Sequence, residues 1–285
     1  MRTNTLPLWR LSIAVITLTV VSGCALWRDD DAQTVTAKSP LKPVAPRIDA
    51  IELEFYFVSR PIGDPLLGSS LWAELDQVST LDASVLTALR RNGFQFGVAG
   101  SVLPRTLQAA LGQSSHTQSF ADEPGVQVSG GRHSHRSGEH QLFSTWPVYD
   151  SCEIEINKGG DTKVSSYETA RCLFRVTPRR LQDGWVRVEF TPEVHHGENK
   201  MRHQAGEQQF ELMPSQIVDT FYDQTFSVEL NVGEIVVVSA DGDNPSSLGH
   251  HFFRGGTTDN KMQRLLIVKV ADMKELDGVR TELTR

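Results

Sequence analysis

Eight of the nine histidines occur in short groups along the sequence. Imidazole is the commonest protein ligand of transition metals. These histidines form three groups: His133, His135 and His140; His195, His196 and His203; and His250 with His251. A zinc site needs three or four ligands that converge at about 2.0–2.3 Å from the ion. Neighbouring residues of a strand point to opposite faces, so an adjacent pair offers only one ligand to each face. We therefore keep His195, His196 and His203 only as weak metal candidates. Exposed polar histidines are the other interpretation, and we expect no metal and no other cofactor.

Nucleophilic chemistry has no matching pattern in the sequence. The nucleophile-elbow motif Gly-x-Ser-x-Gly does not occur, and Ser114-Ser115-His116 stands in low-complexity sequence without a nearby acid. Gly130-Gly131 and Gly255-Gly256 are not phosphate loops of the Walker type, because neither precedes a Lys-Ser/Thr pair and a helix. We therefore predict no catalytic residue, and we expect that the chain is not an enzyme.

Two cysteines, Cys152 and Cys172, lie on the apolar faces of predicted strands. Cys152 alternates in phase with Ile154, and Cys172 alternates in phase with Phe174. In an oxidising compartment the two thiols could form a disulfide that stabilises the fold by about 3 kcal/mol. The alternative is a pair of buried free thiols.

The third cysteine, Cys24, follows a segment with the three parts of an export signal. Arg2 and Arg10 give a basic start without any acid, and residues 11–22 form an uncharged, mostly apolar run. Twelve helical residues cover about 18 Å, which is shorter than the roughly 30 Å of a bilayer's hydrocarbon core. The exit, residues 21–24 (VSGC), resembles the lipobox of bacterial lipoproteins, which implies that residues 1–23 are removed and that Cys24 is acylated. An ordinary signal peptide with an incidental cysteine is the alternative.

The residue after the cysteine and the charge of the mature chain bear on location and partners. The lipoprotein resemblance implies sorting to the outer membrane of a diderm cell, facing the periplasm, because Ala25 rather than Asp follows the cysteine. Removing residues 1–23 leaves 26 basic and 35 acidic residues, a formal charge of −9. This acidity disfavours nucleic acid and anionic lipid surfaces as partners. Residues 24–47 contain an acidic run and three prolines and predict a tether.

Residues 48–112 predict a small α+β module. Apolar residues alternate over 51–57 and over 94–98, which indicates strands, and helical spacing occurs over 66–78, 82–92 and 104–111. Asn92-Gly93 is typical of a helix end with a left-handed residue. Residues 113–140 are rich in Ser, Gly, His and Gln with few apolar side chains, which predicts a flexible linker.

Residues 141–285 predict a mainly antiparallel β domain, so the fold class expected for the whole chain is α+β. Strand patterns occur over 142–149, 152–157, 170–177, 185–191, 208–213, 224–232, 234–239 and 264–271. Turn residues separate several of them, at 158–161, at Asp183-Gly184 and at 231–233. Residues 235–238 are apolar on both faces, as expected for a central strand.

Within this β domain, residues 183–270 resemble the C-terminal module of secretins, the outer-membrane ring proteins of type II and type III secretion and type IV pilus systems. The similar segments occur in the same order in both: 183–188 (DGWVRV) with 191–194 (TPEV) as a strand pair, 230–237 (LNVGEIVV), 248–254 (LGHHFFR) and 263–268 (QRLLIV). Ser239-Ala240 replaces the Gly-Gly pair that secretins place after the valine strand. The long segments that line a secretin pore have no counterpart, so the resemblance implies a reused assembly module rather than a pore.

Two functional hypotheses follow. The first is a non-enzymatic envelope lipoprotein that makes secretin-like contacts with itself or with a secretion- or pilus-type complex. The second is a periplasmic binding module or metal-dependent hydrolase that acts on cell-wall or peptide material. The second hypothesis requires His195, His203 or His250 to converge with acids in a deep pocket.

Overall fold

The part of the chain that the computed structural model describes is built on two antiparallel sheets. It comprises residues 48–112, 126–146, 148–182, 184–205, 210–257 and 260–276, and all of it belongs to one compact unit, Ala45–Arg285. The expected signal peptide, the lipidation site Cys24 and the tether lie outside the described residues. None of the helices in the described residues is long and apolar enough to cross a bilayer.

The first sheet, sheet A, joins the two ends of the described chain. Its strands are β1 (Ile48–Pro61), β2 (Phe94–Ala99), β3 (Gln127–Arg136), β10 (Ile235–Ala240), β11 (Arg254–Thr257) and β12 (Asn260–Leu276). Their order across the sheet is β2–β10–β12–β1–β3, and β11 pairs with β12. The longest pairing is that of β1 with β12, which runs from Ile48 opposite Leu276 to Pro61 opposite Met262.

The second sheet, sheet B, consists mainly of long hairpins. Its strands are β4 (Gln141–Ser144), β5 (Tyr149–Lys158), β6 (Asp161–Gln182), β7 (Trp185–Ala205), β8 (Phe210–Thr220) and β9 (Phe226–Asn231). The order is β4–β6–β7–β8, with β5 beside β6 and β9 beside β7. Segments 183–188 and 191–194 both fall in or next to the single strand β7, so the strand pair that the secretin resemblance implies is instead one continuous strand.

The two sheets pack face to face because their strands alternate as predicted. Ile51, Leu53 and Phe55 of β1 are buried against inward-facing side chains of sheet B. Phe174 of β6 is central to this core, since its ring contacts five other aromatic rings at centroid distances from 4.9 to 6.5 Å, those of Phe94, Phe190, Phe226, Phe252 and Phe253. Three of these contacts, with Phe190, Phe226 and Phe252, are edge-to-face, and such contacts add to the hydrophobic burial.

The α-helices of the described residues are short: α1 (Ser69–Ala73), α2 (Ala83–Arg91), α3 (Arg105–Ala110) and α4 (Leu248–Phe253). The apolar side chains of α2 and α4 are buried in the core between the sheets, whereas α1 and α3 cover the other face of sheet A. Leu71 of α1 and Leu107 of α3 are buried against the second face of β10, where Ile235 and Val237 lie. The interpretation of residues 235–238 as a central strand is confirmed, because β10 lies between β2 and β12 and is buried on both faces.

The predicted turns are also confirmed where they are described. Lys158 pairs with Asp161 across a two-residue turn, and Gly159 and Gly160 both have positive φ, at 61° and 105°. Such angles are typical of the turns that join antiparallel strands without disturbing their twist. Gly93 ends α2 with φ 78°, in the left-handed conformation expected there.

The prediction that residues 48–112 form a separate module is wrong. Strand β1 pairs with β12, and β2 pairs with β10, so both strands of the predicted module belong to the sheet built by the C-terminal residues. The α+β class is therefore replaced by a mainly antiparallel β sandwich with short helices. Pairings between residues some 140 to 230 positions apart leave no local signature in the sequence, which is why the boundary was misplaced.

The prediction of a flexible linker over 113–140 is wrong for its second half. Residues 127–136 form β3, which pairs with β1 from Gln127 opposite Ser59 to Arg136 opposite Ala50. The side chains of β3 are mostly exposed, and backbone pairing with β1 holds it in the sheet. Such a strand does not need the alternating apolar residues from which strands are predicted. Residues 113–125 lie outside the described residues.

Candidate functional site

The weak metal candidates do not converge on one site. His195 and His196 point to opposite faces of β7, as adjacent strand residues must. His195 contacts Glu193, with Nε2 2.8 Å from Oε2, whereas the His196 ring lies 4.8 Å from that of Tyr167. The side chain of His203 lies outside the described residues. Among the side chains that are described, no group of three or more His, Cys, Asp or Glu residues is arranged to hold a metal.

The contacts of His195 instead form a buried ionic cluster on β6 and β7. The Glu193 carboxylate is 1% exposed; it forms an ion pair with the Arg175 guanidinium, and the His195 ring contacts it from the same strand. The Nε of Arg175 is buried and has no hydrogen-bond partner. A buried carboxylate is tolerated when a positive charge pairs with it, so the pairing with Arg175 accounts for the burial of Glu193.

Replacing Glu193 with alanine is expected to lower the free energy of unfolding by about 1–3 kcal/mol, because the Arg175 charge and the His195 ring would lose their partner. Denaturant unfolding of the purified protein measures this change. Glu229→Ala is the matched control, since Glu229 forms an ion pair with Arg187 in which both side chains are about half exposed. That control is expected to change stability by no more than about 0.5 kcal/mol, and equal losses in the two variants would contradict the assignment.

On the opposite face of β7, His196 lies beside a polar contact between Tyr167 and Asp219. The Tyr167 hydroxyl donates to the Asp219 carboxylate at 3.0 Å, and His196 Nε2 lies 3.8 Å from the same carboxylate. Burial, followed by the hydrogen bond to Asp219, raises the pKa of Tyr167. A tyrosine that stays protonated in this way serves as a hydrogen-bond donor and does not act as a base.

The first histidine group lies on β3 and packs on aromatic rings. The rings of His133 and His135 lie 5.8 and 6.1 Å from that of Phe55, which is itself stacked on Phe143. His135 is buried, and this burial lowers its pKa. These two histidines are therefore part of the sheet, and the prediction that they lie in a linker is corrected; His140 is exposed.

The third histidine group lies on a helix, and the interpretation of its members as exposed loop histidines is wrong. His250 and His251 belong to α4, where Ser247 caps the helix by accepting from the His250 N–H. Burial lowers the pKa of His251, and that of His250 falls to about 4 because of burial and of nearby positive charges. Arg254, next to the end of this helix, is a further polar residue that sequence reasoning missed.

Both described cysteines are free thiols, so the expected disulfide is not formed and the alternative of free thiols is what the structure has. Cys152 is opposite Tyr167 on β6, whereas Cys172 is opposite Val194 on β7. The two cysteines therefore do not face each other across a strand pair, as the prediction of a disulfide had them do. Burial raises the pKa of both thiols, which disfavours the reactive thiolate.

The edge of sheet A at β3 is a surface feature that sequence reasoning missed. Among the described strands, β3 pairs only with β1, so its other edge is open along ten residues. Gly130 allows the close approach to β1, since an added Cβ would collide with the Phe55 carbonyl and lie 2.6 Å from the Tyr56 ring. The opposite edge of the sheet differs, because Asp76 exchanges two backbone hydrogen bonds of 2.8 Å with Val98 of β2.

No protein-family model matches the chain, and no curated protein matches it. The chain is similar to several solved structures of secretins. The InvG secretin-domain β-barrel of the Salmonella SPI-1 injectisome is 12% identical over 81% of this chain and 63% of its own, with a TM-score of 0.22. GspD in the pilotin–secretin complex of ETEC is 12% identical over 96% and 54%, with a TM-score of 0.19.

The type IV competence pilus secretin PilQ of V. cholerae is likewise 12% identical, over 81% of this chain and 59% of its own, with a TM-score of 0.20. The chain thus spans only 54% to 63% of the length of these three structures. TM-scores this low do not establish a common fold or a common function.

Proposed function

We propose that this protein is a non-enzymatic, lipid-anchored protein of the cell envelope whose β sandwich serves in the assembly or scaffolding of an outer-membrane complex of the secretion or pilus type. The open edge of β3 is the observation that supports this proposal. The partner strand comes from a second copy of the chain or from such a complex.

The β3 edge has the properties of a docking strand. A long, exposed edge strand presents unpaired N–H and C=O groups that another strand can pair with. Residues 127–136 contain no proline, which would block such pairing, and Gly130-Gly131 stands at their centre without bulky side chains. Strand addition of this kind gives affinity through main-chain hydrogen bonds and specificity through alternate side chains.

The proposed lipid anchor is compatible with docking to a neighbouring envelope protein. Residues 24–47 would span at most roughly 85 Å when fully extended, since each residue adds about 3.3–3.6 Å. An acylated Cys24 would therefore keep the sandwich near the membrane while leaving it free to reach a neighbour. The acidic mature chain favours protein partners over anionic lipid and nucleic acid.

The alternative function, a hydrolase or a binding module for cell-wall or peptide material, gains no support from the described histidines. His195 lies beside an acid, but that acid is the buried ion-pair partner of Arg175. His250 lines a cavity with Arg254 and Lys261, and no carboxylate occurs among the described residues that line it.

Charged residues on the β3 edge are expected to abolish the proposed association. The variant Val128→Lys/Ser134→Lys adds two charges at exposed positions of β3, where lysine is known to discourage strand addition. We expect the detergent-solubilised full-length protein to have a lower mass by light scattering, or to lose its cross-linked envelope partner, when these two residues are changed.

Val102→Lys is the matched control, because Val102 is exposed but lies outside the strands. It adds the same kind of charge and is expected to leave the association unchanged. The proposal is overturned if the wild-type protein is strictly monomeric and cross-links to no envelope component, or if the double variant associates as well as the control.

A further inference from the structure

A cavity between α4 and the β11–β12 hairpin gathers cationic groups, with no acid among the described residues that line it. Its volume is about 450 Å³, and it is lined by Ile62, Pro245, His250, Arg254, Gly255, Gly256, Thr257 and Lys261. No carboxylate is found among these described residues. The cavity is separate from the β3 edge and from the ionic cluster around Glu193.

The charges around the cavity are only partly balanced. Arg254 Nη1 contacts the Asp243 carboxylate at 3.0 Å, but the Asp243 side chain is 98% exposed, so water screens this pair. Arg254 Nε and His250 Nδ1 are buried without a hydrogen-bond partner. Buried polar nitrogens in this state are unusual in native proteins, and they are often explained by a ligand or an ion.

The pKa of His250 reflects the same excess of positive charge around the cavity. Burial, followed by the charges of His251, Arg254 and Lys261, lowers the pKa of His250 to about 4, while Asp243 acts in the opposite direction. The ring is therefore neutral at neutral pH. A neutral imidazole can donate one hydrogen bond to an anion without requiring a further positive charge in the cavity.

The wall of the cavity is held by packing. Gly255 lies against the Trp146 ring, so closely that any added Cβ would overlap it. Trp146 is in turn stacked on the Arg264 guanidinium, whose Cζ lies 4.3 Å from the ring centroid. Gly256 has φ 102°, a conformation that favours glycine. Arg254 thus stands beside two glycines that are held in place by the packing of Trp146 and by a backbone conformation that favours glycine.

We propose that this cavity binds a phosphate with two ionisable oxygens, either free phosphate or the monoester phosphate of a lipid headgroup such as that of phosphatidic acid. A phosphate monoester carries about −1.5 to −2 charges at neutral pH, which matches the two cations Arg254 and Lys261. A carboxylate needs only the arginine, as the contact with Asp243 illustrates. Arginine binds phosphate through its planar fork, and lysine binds it as a point charge. This site is independent of the function proposed above.

The test is a calorimetric titration of the purified full-length protein with inorganic phosphate and, separately, with glycerol 3-phosphate, a soluble mimic of the monoester headgroup of phosphatidic acid. We expect saturable binding of at least one ligand, and the tighter of the two identifies the source of the phosphate. Lys261→Gln is expected to weaken that binding about tenfold, the scale of one hydrogen bond to a charged group. Asp243→Asn is expected to strengthen it, because it removes the competing carboxylate.

Lys158→Gln is the matched control, since Lys158 is exposed, pairs with Asp223 and lies outside the cavity. It is expected to leave phosphate binding unchanged within about twofold, the scale of a screened surface charge. Phosphate should also raise the pKa of His250, followed by NMR of the imidazole ring, which a loosely attracted counter-ion would not do. The proposal is overturned if neither ligand binds saturably, or if Lys261→Gln and Lys158→Gln have equal effects.

Discussion

Replacing Gly249 with alanine is expected to lower the free energy of unfolding by more than about 3 kcal/mol. Gly249 lies in the first turn of α4, where its N–H donates to the Asn92 carbonyl at 2.8 Å. An alanine Cβ at this position would overlap the carbonyl group of Gly93 and lie 2.9 Å from the Phe94 nitrogen. These are backbone atoms, which cannot move aside as the end of a flexible side chain can, so the helix and the strand must separate.

Gly100→Ala is the control for this substitution. Gly100 is exposed, and an added Cβ there would meet no atom within 4 Å. It is expected to change stability by no more than about 0.5 kcal/mol. Denaturant midpoints of the two variants decide the matter: a Gly249→Ala protein that unfolds with the wild-type midpoint would show that the contact between α4 and the Asn92–Gly93 turn is dispensable.

The loss is expected to be large because the Asn92–Gly93 turn connects both sheets. The Asn92 side chain accepts from the backbone N–H of Asn157 at 2.8 Å and donates to its carbonyl at 3.0 Å, which attaches the turn to β5 of sheet B. The Gly93 carbonyl accepts from the Asp241 N–H at 2.7 Å, just beyond β10 of sheet A. Separating α4 from this turn would therefore disturb hydrogen bonds in both sheets.

The Leu-Gly pair at 248–249 shows what the sequence could and could not reveal. Its resemblance to a secretin segment marked the position, but only the structure gives the physical reason, a close approach between two backbones. Strands with one buried face were predictable, because Leu53 and Phe55 alternate with polar residues. The central strand β10 was predictable for the complementary reason that it is apolar on both faces.

Strand length was predicted poorly where a hairpin extends beyond the core. Strand β6 begins at Asp161, nine residues before the predicted run at 170–177, and residues 161–164 of this extension are all exposed. Backbone pairing with β5 orders such residues whatever their side chains are. The same reasoning explains β3, whose Ser, Gly and His content resembles that of a linker.

For the candidate sites too, local strand geometry was predictable from the sequence, whereas contacts made by tertiary packing were not. The prediction that adjacent histidines point to opposite faces is confirmed for His195 and His196, because it depends only on strand geometry. The cavity beside His250 was not predictable, because α4 supplies His250 while the β11–β12 hairpin supplies Arg254 and Lys261. Only tertiary packing brings these three cationic or polar side chains together.

Replacing Cys24 with serine is expected to move the protein from the membrane fraction to the soluble fraction. The variant removes the thiol that the lipobox resemblance identifies as the acylation site, and serine cannot form the thioether. Residues 11–22 are too short to span the hydrocarbon core, and a mature chain with a formal charge of −9 is repelled by anionic lipid. Several acyl chains anchor a protein durably, so a variant that lacks them should be released almost completely from the membrane.

Fractionation of cells that express the full-length variant, followed by a high-salt wash of the membranes, measures this release. Cys152→Ser is the matched control, since it makes the same substitution within β5 and should leave the protein at the membrane. A Cys24→Ser protein that stays in the washed membranes would contradict lipid anchoring and point to attachment through the folded residues. Release of both variants would instead indicate that misfolding causes the loss, so the anchor is supported only if Cys24→Ser alone becomes soluble.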